Sequence, residues 1–463
     1  MAETLDITAD GETRSMTVLD ALEIGQSRQN AGDLSGAAEI YQQIHTADPN
    51  QVDALHQLGL ISHRLGEYEI AASLIGAVLA IAPDFAEAHS NLGVVLFDQG
   101  RMDEAAASYE QAMALNTNYA DPHNNMGALH QRLGNLEEAI SSYRKAIAIR
   151  PNFADAHNNL ATMLLLAGNF EKGWLEFSWR WKLSQFSKAL KDLPYPIWDG
   201  SSLAGKRILA WEEQGIGESL LFAGLIPELI QQGAEVCLEC DPRLVPLFAR
   251  SFPKITCSPA ADVGEQDYHV PLADLGRWLR PDAGSFAPAQ AYLVADPDQI
   301  AAFRSRYLDN GSNLLVGLAW ISKSPHYAEW KSMTLNDLDS VLKIPGVTFV
   351  DLQYGDTVEE RNGIDIIHDD SVDQMADLDA FAAQVAAMDA VVTISNTTAH
   401  MAGGLGVKTL LMLDSVPIWY WQLDRPDSLW YSSLKLYRQT RPSDWADVID
   451  RVAKKIKEMA ALQ

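Results

Sequence analysis

The chain has 463 residues, 47% of them hydrophobic, with a formal charge of −27 and a pI near 4.7. That length is too great for one core and predicts about two or three domains. The acidity excludes nucleic acid or an anionic membrane as the main partner, because both require a positive footprint.

Residues 1–16, MAETLDITADGETRSM, have no positive start followed by an apolar core, so they read as a flexible tail rather than a secretory signal. No apolar run approaches membrane-spanning length, and a cytoplasmic chain is the expectation. From residue 17 to 180 one period dominates: Gly32, Gly66, Gly100, Gly134 and Gly168 recur every 34 residues. The same spacing runs through Gly59, Gly93, Gly127 and Ala161, through Ala37, Ala71, Ala105 and Ala139, and through Tyr41, Tyr109, Tyr143 and Phe177. Small residues let paired helices approach closely, turn glycines accept a left-handed backbone, and Pro49, Pro83 and Pro151 end second helices. The pattern resembles the tetratricopeptide repeat, a helix-turn-helix unit that stacks into an all-α solenoid. Gln57, Asn91, Asn125 and Asn159 share one position in successive units and would line its inner face. Such an amide ladder can bond an extended peptide backbone of a protein acceptor, or can bond repeat to repeat.

Residues 181–200 lose the period and read as a connector, and an α/β region follows. A first lobe, residues 201–312, opens with the strand Arg207–Trp211, then the loop EEQGIGE, the helix SLLFAGLIPELIQQG and the strand EVCLEC. A second lobe, residues 313–441, contains the strands LLVGLAW, VTFVDLQ, AVVTIS and VKTLLML, and residues 442–463 form an amphipathic C-terminal helix. Two such lobes predict a cleft, with ligands beyond the carboxyl ends of the strands. Cys237, Cys240 and Cys257 suit a reducing compartment, and the single CxxC has no second pair to complete a zinc site, so buried thiols are expected. The sequons at Asn310 and Asn396 are uninformative in a chain that is not secreted.

In the loop and helix start SNTTAHMAGGLG, Ser395, Asn396, Thr397 and Thr398 offer polar groups where free N–H groups and the helix dipole favour an anion such as phosphate. His400 follows one turn later, and Gly403 and Gly404 read as close-packing positions. Glu218, behind Gly215 and Gly217, is a candidate base, although a first-turn acid also simply favours a helix dipole. Lys331 can stabilise charge on a leaving phosphate, with Lys323 and His326 competing in the same loop. Gln353 and Tyr354 end a strand and would border a nucleotide. Asp337-Leu-Asp339 and Asp377-Leu-Asp379 match a DxD pattern but fall in helix first turns, so no metal is indicated. Trp419, Trp421 and Trp430 read as core or lobe-interface residues.

VVTISNTTAHMAGGLGVKTLLML resembles the donor-site segment of the heptosyltransferase-like glycosyltransferases, and WEEQGIGESLLFAGLIPEL is similar to their Gly-x-Gly-Asp loop and helix. Glu218 and Ser395 stand where that family usually has aspartates. The resemblance covers most of residues 198–440 and implies a two-lobed GT-B fold. With the repeats, it implies a protein O-glycosyltransferase like the bacterial flagellin enzymes, and more distantly like the O-GlcNAc transferases, which use a similar amide ladder. On that basis the catalytic residue would be Glu218. The donor site would comprise Gly215, Gly217, Lys331, Gln353, Tyr354, Ser395, Asn396, Thr397, Thr398 and His400. The acceptor, suggested to be flagellin, would lie on Gln57, Asn91, Asn125 and Asn159. The co-substrate would be a CMP-linked nonulosonic acid, or UDP-GlcNAc in the alternative. A non-catalytic scaffold is a third expectation, kept open by the two replaced aspartates.

Overall fold

The computed structural model describes residues 4–9, 11–213, 215–259, 264–286, 290–308, 314–323 and 328–462. His326 and the Asn310 sequon lie outside the described residues. The chain divides into two compact units, Met1–Leu160 and Ala161–Gln463.

The first unit does not begin as a loose tail. Strands β1 (Thr4–Ala9) and β2 (Glu12–Thr17) form an antiparallel hairpin around Gly11, whose φ is +80°. Its alternation buries Ile7 against Ala21, Ile40 and Ile44, and the Gln43 amide bonds both the N–H and the carbonyl of Thr8 at 2.8 and 2.9 Å. Four helix pairs follow: Val18–Asn30 with Leu34–Ala47, Val52–Arg64 with Tyr68–Ile81, Ala86–Asp98 with Met102–Leu115, and Ala120–Leu133 with Leu136–Ile149. Each turn glycine of the 34-residue column has a positive φ, between 75° and 86°. The second glycine column works with the aromatic column. A β-carbon at Gly25, Gly93 or Gly127 would sit 2.5–2.6 Å from the ring of Tyr41, Tyr109 or Tyr143 on the paired helix, and Ile75 takes that place opposite Gly59.

The second compact unit begins at Ala161, inside the helix Ala154–Leu166 and upstream of the connector expected from residue 181. The helix Phe170–Phe177 and the 3-10 turn Ser178–Lys182 therefore belong to the α/β unit. Trp174 explains why: its indole N–H donates to the Arg280 carbonyl at 2.8 Å, and its ring fills the space left by Gly276.

The first sheet contains β3 (Arg207–Trp211), β4 (Glu235–Glu239), β5 (Thr256–Ser258) and β6 (Tyr268–Pro271) in the order β5-β4-β3-β6, all parallel. The helix expected after β3 is two helices, Ile216–Ala223 and Ile226–Gln231, broken where Pro227 lacks the N–H that a continuous helix needs. The second sheet contains β7 (Leu314–Ala319), β8 (Val347–Asp351), β9 (Ala390–Ile394), β10 (Thr409–Leu413) and β11 (Leu434–Arg438), parallel in the order β11-β10-β9-β7-β8. Strands β7, β9 and β10 are buried at every residue, as apolar runs covered on both faces should be. The C-terminal helix Ala446–Ala460 is part of this lobe: Val448, Val452 and Ile456 pack on the face carrying Val316, Leu318 and Met412. In both sheets the strand order reverses beside the first strand of the lobe, and the loops leaving β3, β7 and β9 stand at those reversals, where open α/β sheets place ligands.

Candidate functional site

The loop leaving β3 and the helix leaving β9 meet. A β-carbon on Gly217 would lie 3.1 Å from His400 Cδ2 and 3.7 Å from Thr397 Oγ1, so a side chain there would crowd the imidazole. Gly215 faces open space instead. Glu218 follows in the first turn of Ile216–Ala223 and shares a recess with Glu212, Glu213, Ser219, Phe222, Leu272 and Ala273. Burial pushes its carboxyl up to about 7, against a backbone hydrogen bond at Gly215 and the charges of Lys331 and Arg180. A carboxyl held there is divided between its two forms at neutral pH, which suits a general base.

Lys331 ends a short helical turn after β7 and is buried. Burial pulls its ammonium below the usual lysine range, and Asp414 and Glu218 oppose that pull. His400 is buried, stacks on Trp421 at 5.3 Å, and shares a 3.0 Å hydrogen bond between Nδ1 and the Tyr431 hydroxyl. Burial, with Lys331 nearby, lowers it to about 3, so it is a neutral imidazole.

The helix Thr397–Leu405 is capped by Asn396, whose Oδ1 accepts from the Ala399 N–H at 3.2 Å and from Thr393 Oγ1 at 3.0 Å. Asn396 Nδ2 is buried with no partner among the described residues. An orphaned donor at a helix N-terminus is a place for an oxygen-rich ligand. Thr397 is half-buried beside it, while Thr398 is buried with its hydroxyl directed to the Leu352 carbonyl at 3.5 Å. Ser395 accepts the Trp421 indole N–H at 2.8 Å and so holds an aromatic wall. Gly403 and Gly404 are indeed packing positions: β-carbons there would strike Tyr431 and Leu293.

Two expected donor contacts are otherwise engaged. Gln353 is fully buried, its Oε1 accepts the N–H groups of Trp320 and Ile321 at 2.9 and 2.7 Å, and its amide donates to the Tyr354 carbonyl. It fixes the turn after β7 and does not reach outward, because every polar atom of its side chain is used inside the lobe. Tyr354 accepts the Lys323 N–H through its hydroxyl at 3.1 Å and thereby ties the loops after β7 and β8 together. The DxD patterns are structural: Asp337 belongs to a capping box with Thr334, Asp377 caps the helix Leu378–Ala386, Asp339 pairs with Lys343, and Asp379 pairs with Arg250. Cys237 and Cys240 are buried free thiols and Cys257 is half-buried.

In the first unit, the amide column lies on the first helix of successive pairs, half-buried throughout. Asn91 Nδ2 shares a 2.9 Å hydrogen bond with His56 of the preceding pair, and Asn159 Nδ2 donates to Asn124 at 3.1 Å. Among the described residues, Asn125 receives a long 3.5 Å contact from Asn124. Part of the ladder therefore bonds repeat to repeat.

Sequence reasoning missed Arg180. It is fully buried between the rings of Phe177 and Trp181, 4.3 Å from each centroid. Its Nη2 donates to both oxygens of Glu213 at 2.9 Å and to Asp274 at 2.6 Å, and its Nη1 donates to the Phe177 carbonyl at 3.1 Å. The only local signal was an arginine in an aromatic run, Phe177-Ser-Trp-Arg-Trp181, of which Phe177 and Trp181 supply the two faces.

Among known proteins, residues 84–152 and 142–174 match two models of the tetratricopeptide repeat, so this region is a tetratricopeptide array. The chain is similar to Protein FlbA of Caulobacter vibrioides, 32% identical over 314 residues, which are 61% of this chain and 52% of that protein. The chain thus spans about half the length of this curated relative. Among solved structures, MamA is 28% identical over 34% of this chain and 93% of its own, with a TM-score of 0.31. A thermophilic TPR protein of Thermus thermophilus is 19% identical over 36% of this chain and 91% of its own, with a TM-score of 0.33. Among the described residues no helix is long and apolar enough to cross a membrane.

Proposed function

We propose that the α/β unit is a GT-B glycosyltransferase that moves a sugar from a nucleotide-activated donor to serine or threonine hydroxyls of a protein recruited by the repeats. The observation that carries this reading is the meeting of Gly217 with His400, which puts Glu218 within the electrostatic reach of Lys331 at the reversals of two parallel sheets. In the reaction, the acceptor oxygen attacks the anomeric carbon while Glu218 takes its proton. The bond from that carbon to the phosphate oxygen breaks, and Lys331, with the orphaned Asn396 amide and the helix N-terminus, holds the departing nucleotide.

The donor favoured is a CMP-linked nonulosonic acid and the acceptor favoured is flagellin, both on the family resemblance. UDP-GlcNAc is the alternative donor. Melting the full chain with CMP, CDP, UDP, GDP or ADP tests the assignment, because a ligand that binds the native state raises the melting temperature. A rise with CMP that disappears in Lys331→Ala is expected. A rise with UDP alone would transfer the assignment to the GlcNAc type, and none with any nucleotide would leave a non-catalytic scaffold.

A further inference from the structure

The segment from β3 into the helix Ile216–Ala223 carries two glycines, Gly215 and Gly217, just before Glu218. It is closed upon itself by the Ser219 hydroxyl, which donates to Glu212 at 2.7 Å. It is fastened to the rest of the unit through Glu213, and the fastener is Arg180. The same guanidinium holds Asp274 in the turn after β6, so one side chain pins the exits of the two strands that flank the sheet reversal. Its position is itself overdetermined by two aromatic faces and the Phe177 carbonyl.

We propose that Arg180, on the 3-10 turn Ser178–Lys182, is a positioning residue for Glu218: it acts through Glu213 to hold the glycine loop where the carboxylate can meet the acceptor hydroxyl. This rests on the transferase reading of Glu218. Among the described residues, the charged and titratable groups near Glu218 include Lys331 from the loop after β7, Glu212 and Glu213 in the same recess, neutral His400 beside Gly217, and Arg180 itself. Arg180 lowers the proton affinity of Glu218, so its removal raises that affinity.

The test separates holding the fold from holding the base. Arg180→Met alone leaves buried Glu213 without its cation and is expected to lower the melting temperature. Arg180→Met with Glu213→Gln removes the stranded charge and is expected to restore melting to near the wild-type value. In that double variant of the full chain, we expect nucleotide affinity within about twofold of wild type and kcat lowered about 100-fold, the scale of a misplaced reacting group. In the single variant Arg180→Met, the 13C-glutamate resonance of Glu218, assigned by its loss in Glu218→Gln, should titrate at higher pH than in wild type. A double variant with wild-type melting and wild-type kcat, together with an unmoved Glu218 titration in Arg180→Met, would overturn the proposal. If the wild-type chain transfers no sugar, the transferase reading falls, and the titration alone still decides whether Arg180 governs Glu218.

Discussion

Gly217 presents its backbone to the edge of the His400 imidazole, with 3.1 Å between Cδ2 and the place a β-carbon would occupy. The ring cannot yield, because Trp421 stacks on it and Tyr431 shares a hydrogen bond with it. Gly217→Ala should therefore push the two loops apart, costing about 1 kcal/mol of stability and about tenfold in transfer rate. Gly215 has an ordinary φ of −74° and empty space before it, so Gly215→Ala should change melting by little. Melting curves and initial rates on both variants check the contrast; equal effects would remove the steric argument.

Glu218 yields two pH predictions of opposite sense. If its anion is the base, kcat rises with pH through about 7. Its folded pKa is raised above the unfolded value, so the proton it binds stabilises the fold below the unfolded pKa. That contribution is lost as pH rises through about 7. Glu218→Gln should accordingly abolish transfer yet melt higher than wild type at pH 8, by about 3 kcal/mol of stability, and match wild type near pH 4. A variant that is both inactive and less stable at pH 8 would mean the carboxylate is a structural anchor.

The amide column should divide by mutation. Asn91→Ala leaves His56 without its inter-repeat partner and is expected to cost about 1 kcal/mol in stability. Asn125→Ala removes only a long contact, so its effect should fall on acceptor binding with melting unchanged. Calorimetry with an acceptor protein and thermal melts on each variant separate the two roles.

Gln353→Leu is expected to destabilise the second lobe by about 2 kcal/mol, since two buried N–H groups lose their acceptor. The folded fraction should bind nucleotide with nearly unchanged affinity. A selective loss of affinity with normal melting would restore Gln353 to the donor site.

The repeats were legible because each glycine column has its own reason to recur, a left-handed φ at the turns and, in the second column, the rings of Tyr41, Tyr109 and Tyr143 on the paired helix. Strand β3 was legible to the residue, since a short apolar run ending before Glu212 and Glu213 can hardly extend further. The hairpin was not, because its period-2 alternation over Leu5, Ile7, Arg14 and Met16 carries one deeply buried side chain and looks like a polar tail. Gln353 and Ser395 were placed on the right strand exits, but no spacing rule could say that their polar atoms turn inward to Trp320 and Trp421. Arg180 escaped because its partners Glu213 and Asp274 are 33 and 94 residues away, separations that only the fold closes.

The inclusion of Phe170–Phe177 in the α/β unit sets where this protein can be divided. A cut at the end of the 34-residue period would pull Trp174 out of its seat over Gly276 and strip Arg180 from Glu213, so an isolated α/β fragment begun there would lack part of its own interior. An exchange of repeat arms between related chains must therefore splice upstream, at the turn Pro151–Phe153 before the helix Ala154–Leu166, and the final helix pair must travel with the sheets. Modularity in this chain is offset by one repeat from the periodicity of its sequence.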